Sequence, residues 1–306
     1  PVVGGCRGLR FRAMADPDPF LPQDPAHLLV ADPNRRTATD FVSDNRRLAA
    51  HLYRPPQAAP GQPTPGIVMC GPVSSVKEQT LPHYAERFAD AGYTVLTFDP
   101  RGFGESEGEP RFHYDPWLVI ADYVNACAHL MAHDDVDATR VAAVGVCMGG
   151  GFALAVAARE RRLAACVSVA GGYDLGGTMQ AAMGADGLAA YLRTANELHD
   201  RERRTGEVAY IPTIARELSA DVPVAIMPNP EPYSYYERTS RDHAPTWSWE
   251  TTAASLEPFL TFDAISQAPL LDPTPLLIVH GTTDTALLPE KAQAAFDAAT
   301  GPKELV

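Results

Sequence analysis

The chain has 306 residues, of which 45% are hydrophobic and 21% are charged, as in an ordinary globular protein with a sizeable core. Its formal net charge of −13 argues against partners that reward clustered Lys and Arg, so we expect no nucleic-acid binding and no membrane binding. The five cysteines show no CxxC spacing, and the sequence has neither a run of about 18 apolar residues nor a secretory signal. These features predict a soluble cytoplasmic protein with reduced thiols.

The N-terminal third begins with residues 1–36, which are rich in proline, show little periodicity and are predicted to form an extended leader. Residues 37–41 and 48–53 then alternate apolar with polar side chains on either side of Ser43-Asp44-Asn45, which is typical of an antiparallel hairpin.

From Gly66 onward, short apolar runs alternate with helical segments. The runs are predicted as strands at 67–70, 94–98, 141–146, 164–170 and 275–280, followed by a last strand from residue 304. The intervening helices are predicted at 81–91, 117–132, 152–159 and 290–299. Continuous apolar strands joined by crossover helices predict an α/β fold, with a doubly wound, mostly parallel sheet covered on both faces.

This alternation stops between residues 172 and 260, where helical pieces are predicted at 179–191, 195–204 and 211–218. An insertion of this length after a sheet strand predicts a helical lid over the carboxyl edge of the sheet, between the core segments 37–171 and 261–306. Its aromatic side chains Tyr235, Tyr236 and Trp247 are predicted to line a substrate pocket; the alternative is that they form the small core of the lid itself.

The most informative motif is Gly-Val-Cys-Met-Gly at residues 145–149, which places Cys147 at a strand-to-helix corner. At such a corner the helix N-terminus favours a thiolate and supplies backbone N–H groups that can stabilise an oxyanion. Cys147 is therefore a candidate nucleophile. The alternative is a buried structural cysteine in a Gly-rich turn.

A cysteine nucleophile normally works with a base and with a carboxylate that orients the base. Asp284 follows the penultimate strand on the same sheet edge as Cys147 and is our candidate acid, although it could instead be a turn residue capping the helix near Pro289. Asp174, which follows an earlier strand, is the second candidate. Because Pro72 has no N–H, Val73 is the predicted second oxyanion donor, unless the segment is only a Gly-Pro turn.

The base is harder to place, because no histidine follows His280, which is predicted to end a strand. His113 and His243 lie in loop or lid segments, where a lone histidine is usually a surface residue. The sequence stops inside a predicted strand, so we expect segment 261–306 to be truncated before the catalytic histidine and the base to lie beyond Val306.

Several motifs carry a family resemblance: Val-Lys-Glu-Gln at 76–79, Tyr84-Ala85, Phe-Asp-Pro-Arg-Gly-Phe-Gly-Glu-Ser at 98–106, the segment 145–150 and Gly-Thr-Thr-Asp at 281–284. Together they resemble the α/β-hydrolase superfamily, and the Cys-centred corner is similar to that of dienelactone hydrolases. The set most resembles a branch of uncharacterised bacterial hydrolases and fungal polyketide transferases and thiohydrolases. The resemblance implies Cys147 as nucleophile, Asp284 as acid, the Met148 N–H in the oxyanion hole, and a histidine after the last strand.

We accordingly predict a hydrolase that forms an acyl-enzyme at Cys147 with an ester, lactone or thioester. Two alternatives are acyl transfer to an alcohol or amine by the same cysteine, and a non-catalytic hydrolase-fold protein that binds a small molecule. The sequence has no His, Cys and carboxylate cluster with ligand spacing, so no metal and no organic cofactor are predicted. The expected partner is a small acyl substrate, and no sequence feature indicates an oligomer.

Overall fold

A computed structural model describes residues 32–59 and 61–306, so nearly all of the predicted leader lies outside the described residues. Within these ranges the chain forms twelve strands, which in chain order are β1 (Arg36–Ser43), β2 (Arg46–Tyr53), β3 (Thr64–Cys70), β4 (Thr94–Phe98), β5 (Val136–Val146), β6 (Ala165–Val169), β7 (Tyr210–Pro212), β8 (Ile214–Ala215), β9 (Met227–Pro228), β10 (Glu250–Thr252), β11 (Leu276–Val279) and β12 (Lys303–Leu305).

The same ranges contain seven α-helices, which are α1 (Leu81–Asp90), α2 (Pro116–Met131), α3 (Met148–Ala157), α4 (Leu175–Thr205), α5 (Pro230–Asp242), α6 (Leu256–Thr261) and α7 (Pro289–Ala298). Short 3₁₀ helices occur at Pro33–Arg35, Ala253–Ser255 and Ile265–Leu270.

Eight strands build one sheet in the order β1-β2-β4-β3-β5-β6-β11-β12. β2 pairs antiparallel with both β1 and β4, and every later neighbouring pair in the sheet is parallel. The carboxyl ends of β3, β5, β6 and β11 therefore meet along one edge. The predicted α/β class with a mostly parallel sheet is confirmed.

The first two strands form the predicted hairpin. Asp44 and Asn45 have φ angles of 46° and 63°, which is the left-handed backbone that a tight two-residue hairpin turn requires. Asp and Asn tolerate this conformation better than bulkier residues, so the turn chemistry fixes the register of the pair.

Alternating side chains of the central strands pack on opposite faces of the sheet. In β3, Val68 and Cys70 belong to the core that α2 and α3 cover, whereas Ile67 and Met69 belong to the core that α1 covers. Because both faces are buried, the strand is apolar throughout residues 67–70, which explains the continuous apolar run in the sequence.

Between β6 and β11 the chain leaves the sheet and forms helices α4 to α6 and the short strands β7 to β10. The helices predicted at 179–191 and 195–204 are a single helix, α4, which kinks at Gly184, where φ is 76° and ψ is 169°. The helix predicted at 211–218 is wrong: this segment contains β7, which pairs with β10, and β8, which pairs with β9. Pairing with strands distant in sequence outweighed its local helical pattern.

In the part of the chain that the structure describes, no helix combines the length and the apolar character needed to cross a bilayer.

Candidate active site

The corner between β5 and α3 forms a strained turn centred on Cys147, whose φ is 57° and ψ is −124°. A side chain at Gly145 would collide with the backbone of Gly149, and a side chain at Gly149 would collide with the backbone of Cys70. The two glycines of the motif are therefore required by close backbone approach, and they allow Cys147 to stand at the end of its strand.

The Cys147 thiol is half-buried, and the backbone N–H groups of Met148 and Val73 lie beside its sulfur, where they favour the thiolate. Burial raises the pKa of Cys147 to about 11; the two N–H groups oppose this shift, and the negative charge of Asp284 adds to it. The side chain is therefore a protonated thiol at neutral pH. Its chemistry as a nucleophile needs a base to accept the proton.

Val73 lies in the loop 71–80 that follows β3, and a second segment fixes its position. The hydroxyl of Tyr236, on α5, donates a hydrogen bond of 2.9 Å to the Val73 carbonyl oxygen. The N–H of Gly149 donates to the Gly71 carbonyl at 3.0 Å, which joins the same loop to the corner that carries Cys147. The loop is thus held at Gly71 and at Val73, on either side of the peptide group that carries the Val73 N–H.

The loop is also anchored by Lys77, which belongs to the Val-Lys-Glu-Gln motif and is only 1% exposed. Its ammonium contacts Asp99 at 2.8 Å and Glu105 at 2.6 Å, and its backbone N–H donates to the other Asp99 oxygen at 2.7 Å. Burial lowers the pKa of Lys77, but the charges of Asp99 and Glu78 outweigh this and raise it overall. In the sequence, Lys77 marks only the family resemblance, because its carboxylate partners Asp99 and Glu105 lie more than twenty positions away.

Asp284 lies in the loop after β11 and lines the same cleft as Cys147. Its Oδ1 accepts hydrogen bonds from the N–H groups of Ala286 at 2.9 Å and Leu287 at 2.8 Å, so it also organises its own turn. Helix α7 instead begins after Leu288, with no side-chain cap. Asp284 therefore acts as a turn residue through its Oδ1, but it does not cap helix α7.

Asp174, the second candidate acid, is engaged elsewhere. Its Oδ1 accepts from the Gly177 N–H at 2.8 Å as the N-cap of α4, and its Oδ2 forms an ion pair with Lys291 at 2.7 Å. It is not among the described residues that line the cleft. The structure thus brings Cys147 together with Asp284, not with Asp174.

The three histidines considered from the sequence lie away from the cleft surface. His280 Nε2 is 2.7 Å from the Leu287 carbonyl oxygen, and His113 Nδ1 is 2.8 Å from the Thr252 hydroxyl. Burial lowers the pKa of His113, and His243 lies half-buried just after α5. Of the described residues that line the cleft, none is a histidine.

The cleft beside Cys147, which we call the nucleophile cleft, has a volume of about 610 Å³. It is lined by residues of the loops at the sheet edge and of the insertion: Pro72, Thr80, Cys147, Met227, Pro232, Tyr235, Tyr236, Gly281, Thr283, Asp284, Thr285, Ala286 and Leu287.

The predicted pocket aromatics occupy different positions relative to this cleft. Tyr235 and Tyr236 line it, and the Tyr235 hydroxyl lies 2.8 Å from that of Thr80. Trp247 is not among its described lining residues; it stacks on Tyr236 with ring centroids 4.6 Å apart and donates its indole N–H to Ser74 at 3.2 Å. Trp247 therefore packs behind the wall of the cleft. This position agrees with the alternative interpretation, in which the aromatic side chains form a small core of the insertion.

Among residues 32–59 and 61–306, no group of three or more His, Cys, Asp or Glu side chains is arranged to hold a metal ion.

Comparison with known proteins identifies the family. Residues 44–306 match the X-Pro dipeptidyl-peptidase (S15) family. The thiohydrolase aneE of Aspergillus aculeatus is 30% identical over 248 residues, which are 79% of this chain and 76% of that protein. The crystal structure of the hypothetical protein PA2218 from Pseudomonas aeruginosa has a TM-score of 0.75 at 26% identity, and the match covers 94% of this chain and 89% of that one.

The crystal structure of the alpha/beta hydrolase GrgF from Penicillium sp. sh18 has a TM-score of 0.73 at 24% identity, with 88% of each chain covered. A polyketide transferase grgF from Penicillium sp. also matches in sequence, at 28% identity over 243 residues, 79% of this chain and 78% of that protein. The predicted resemblance to α/β hydrolases, including fungal polyketide transferases and a thiohydrolase, is confirmed. The chain belongs to the X-Pro dipeptidyl-peptidase (S15) family and is an enzyme of the α/β-hydrolase fold.

Proposed function

We propose that this enzyme hydrolyses esters, lactones or thioesters through an acyl-enzyme at Cys147. The observation that carries the proposal is the convergence of two backbone N–H groups on the Cys147 sulfur, in a cleft that Asp284 also lines. An N–H pair at a strand-to-helix corner can stabilise the negative oxygen of a tetrahedral adduct. The thiohydrolase name of one relative agrees with a thioester as substrate.

In the first step, a base removes the Sγ proton as sulfur attacks the substrate carbonyl carbon. The carbonyl oxygen becomes negative and accepts hydrogen bonds from the N–H groups of Val73 and Met148. Collapse of the adduct breaks the bond to the leaving alcohol or thiol, which takes the proton from the base. Water, deprotonated by the same base, then attacks the carbonyl carbon of the Cys147 thioester. The C–S bond breaks, the acid leaves, and the sulfur takes the proton back from the base.

The base in this proposal is a histidine, and none of the described residues that line the cleft is one. β12 runs parallel to β11, so its carboxyl end opens on the edge where Cys147 and Asp284 lie. Asp284 would orient that imidazole through its carboxylate. The need for such a base follows from the pKa of about 11 at Cys147, because a thiol with this pKa is almost fully protonated at pH 7.

The substrate class follows from the leaving-group ability of sulfur. A thiolate is expelled from a tetrahedral adduct more readily than an amide nitrogen, so unactivated amides are poor substrates for this site. The family name refers to a peptidase activity, and we propose that this chain differs from it in reacting with oxygen and sulfur esters.

The test is mass spectrometry of the protein after mixing with p-nitrophenyl acetate or a short acyl thioester. We expect one acetyl group on the peptide that contains Cys147, none in Cys147→Ala, and an unchanged adduct in Cys127→Ala, which removes another free but buried cysteine. An adduct that survives in Cys147→Ala would sink the proposal.

Acyl transfer to an alcohol or amine is the second candidate, favoured by the polyketide transferase name of one relative. It uses the same acyl-enzyme and differs only in the group that attacks it. A product screen with and without added alcohols and amines separates the two, since a transferase gives the new ester or amide in preference to the free acid.

A further inference from the structure

A second cavity, which we call the lateral groove, adjoins the nucleophile cleft and has a volume of about 320 Å³. It lies between α4, β9 and the loop that precedes α7, and its lining residues are Leu175, Thr178, Met179, Ala181, Ala182, Ile226, Met227, Pro228, Asn229, Phe259, Thr285, Ala286, Leu287, Leu288 and Glu290.

The groove and the cleft share four wall residues, which are Met227, Thr285, Ala286 and Leu287. Three of these directly follow Asp284 in sequence, and two are held by hydrogen bonds to its Oδ1. The turn that carries the proposed acid is therefore also the partition between the two cavities. An acyl arm attached to Cys147 would have to pass this turn to reach the groove.

Both cavities are lined mainly by apolar side chains, and each also carries some hydroxyl and carboxylate groups. The cleft differs in that it contains the reactive sulfur of Cys147 and the carboxylate of Asp284, so the reacting carbonyl and the leaving group belong there. Most of the groove surface comes from apolar side chains such as Met179 and Phe259. Apolar pockets of a few hundred Å³ are the usual sites for hydrocarbon parts of small ligands.

Charge narrows the choice of ligand further. Among the described residues that line the groove there is no Lys, Arg or His, and there is one carboxylate, Glu290. The nearby Lys291 forms an ion pair with Asp174. An arm with a carboxylate or phosphate would find no cation here and would face a negative charge, so an uncharged arm is favoured.

We propose that the lateral groove is the binding subsite for an uncharged, apolar acyl arm of the substrate, an inference that rests on the proposed function. An apolar cavity of about 150 Å³ holds one benzene, so the groove accepts a chain of roughly ten carbons. The preferred substrates are then medium-chain acyl esters or thioesters, with the arm in the groove and the leaving group in the cleft.

The experiment uses iodoacetamide and N-alkyl iodoacetamides with two to twelve carbons at one fixed alkaline pH, where part of Cys147 is thiolate and reacts without a catalytic base. The rate is read on the peptide that contains Cys147 and divided by the rate of each reagent with free glutathione. We expect this ratio to rise about two- to fourfold per methylene until the groove is filled, because each methylene leaves water.

Ala182→Trp fills the groove from an exposed position of α4 and should therefore leave the fold intact. In this variant the chain-length dependence should be nearly lost, while alkylation by iodoacetamide itself stays within about twofold of the wild-type rate. Ala181→Trp is a second filling variant, and Ala189→Trp, exposed on the same helix and outside the groove, is the matched control.

The outcomes separate this inference from the proposed function. If Cys147 reacts but shows the same chain-length dependence in Ala182→Trp and Ala181→Trp as in Ala189→Trp, the groove is not the subsite, although Cys147 remains an accessible nucleophile. If no reagent modifies Cys147, both the accessible nucleophile and the subsite are overturned.

Discussion

The hydrogen bond from Tyr236 to the Val73 carbonyl predicts that the insertion controls the oxyanion hole. Tyr236→Phe removes only the hydroxyl and keeps the ring, which is 2% exposed and stacks on Trp247. Burial raises the pKa of Tyr236 well above its usual value, so the hydroxyl remains a donor throughout the pH range of an assay. The substitution therefore leaves the Val73 peptide without this partner and with little other change.

The expected loss of rate depends on how strongly the hydrogen bond from Tyr236 restrains the Val73 N–H. Complete loss of an oxyanion donor costs about 3–4 kcal/mol in the transition state. Here the N–H of Val73 is loosened but not removed, so we expect a loss of about 1–2 kcal/mol, which is about a 5- to 30-fold slower acylation.

The assay compares two reactions of the same sulfur. Acylation by p-nitrophenyl acetate, followed as a burst of p-nitrophenol, passes through an oxyanion, whereas alkylation by iodoacetamide does not. Tyr236→Phe should slow acylation and leave alkylation within about twofold, since only acylation depends on the N–H pair. Tyr233→Phe, which loses a hydroxyl on the same helix but is not among the described residues that line the cleft, is the control and should change neither rate. Equal slowing of both reactions in Tyr236→Phe, or unchanged acylation in a folded protein, would refute the coupling.

Three further predictions follow. Because the thiol of Cys147 has a pKa of about 11, its alkylation rate should rise about tenfold per pH unit from pH 7 to 10, and a plateau below pH 8 would contradict this. Asp284→Asn keeps an oxygen for its turn but loses the negative charge that raises the Cys147 pKa, so alkylation of Cys147 at pH 8 should become about two- to fivefold faster. Asp174→Asn is the control and should leave the alkylation rate unchanged. Equal effects of the two substitutions would show that the charge of Asp284 does not act on Cys147 in particular. In urea unfolding, Lys77→Met should lower the free energy of unfolding by about 3–5 kcal/mol, since it leaves the buried Asp99 carboxylate without its cation. Arg35→Met, at an exposed ion pair, should lower it by less than about 1 kcal/mol. Similar losses in the two variants would show that Lys77 does not anchor the loop.

Much of the fold could be predicted because the sheet strands are buried on both faces and give continuous apolar runs that stand out locally. The hairpin was predictable from Asp44 and Asn45, which suit its turn. The insertion was less predictable. The break in α4 occurs at Gly184, not between the two predicted helices, and segment 211–218 contains parts of two short strands that pair with β10 and β9.

The site residues were also predictable where they form a local motif, and not where segments distant in sequence meet. Cys147 and the glycines beside it form one local motif, and Val73 could be proposed because Pro72 lacks an N–H. The bond between Tyr236 and Val73 joins residues 163 positions apart, and that between Lys77 and Asp99 joins two loops. A single sequence contains no signal for such pairings, which only the folded chain brings together.

The raised pKa of the Cys147 thiol also bears on oxidative damage. With a pKa of about 11, only about one molecule in ten thousand carries the thiolate at pH 7. Peroxide attacks the thiolate and not the thiol, so sulfenic acid formation at this residue is slow in the absence of a base. We therefore expect the burial that makes Cys147 depend on a proton acceptor for its reaction with substrate to slow its oxidation as well.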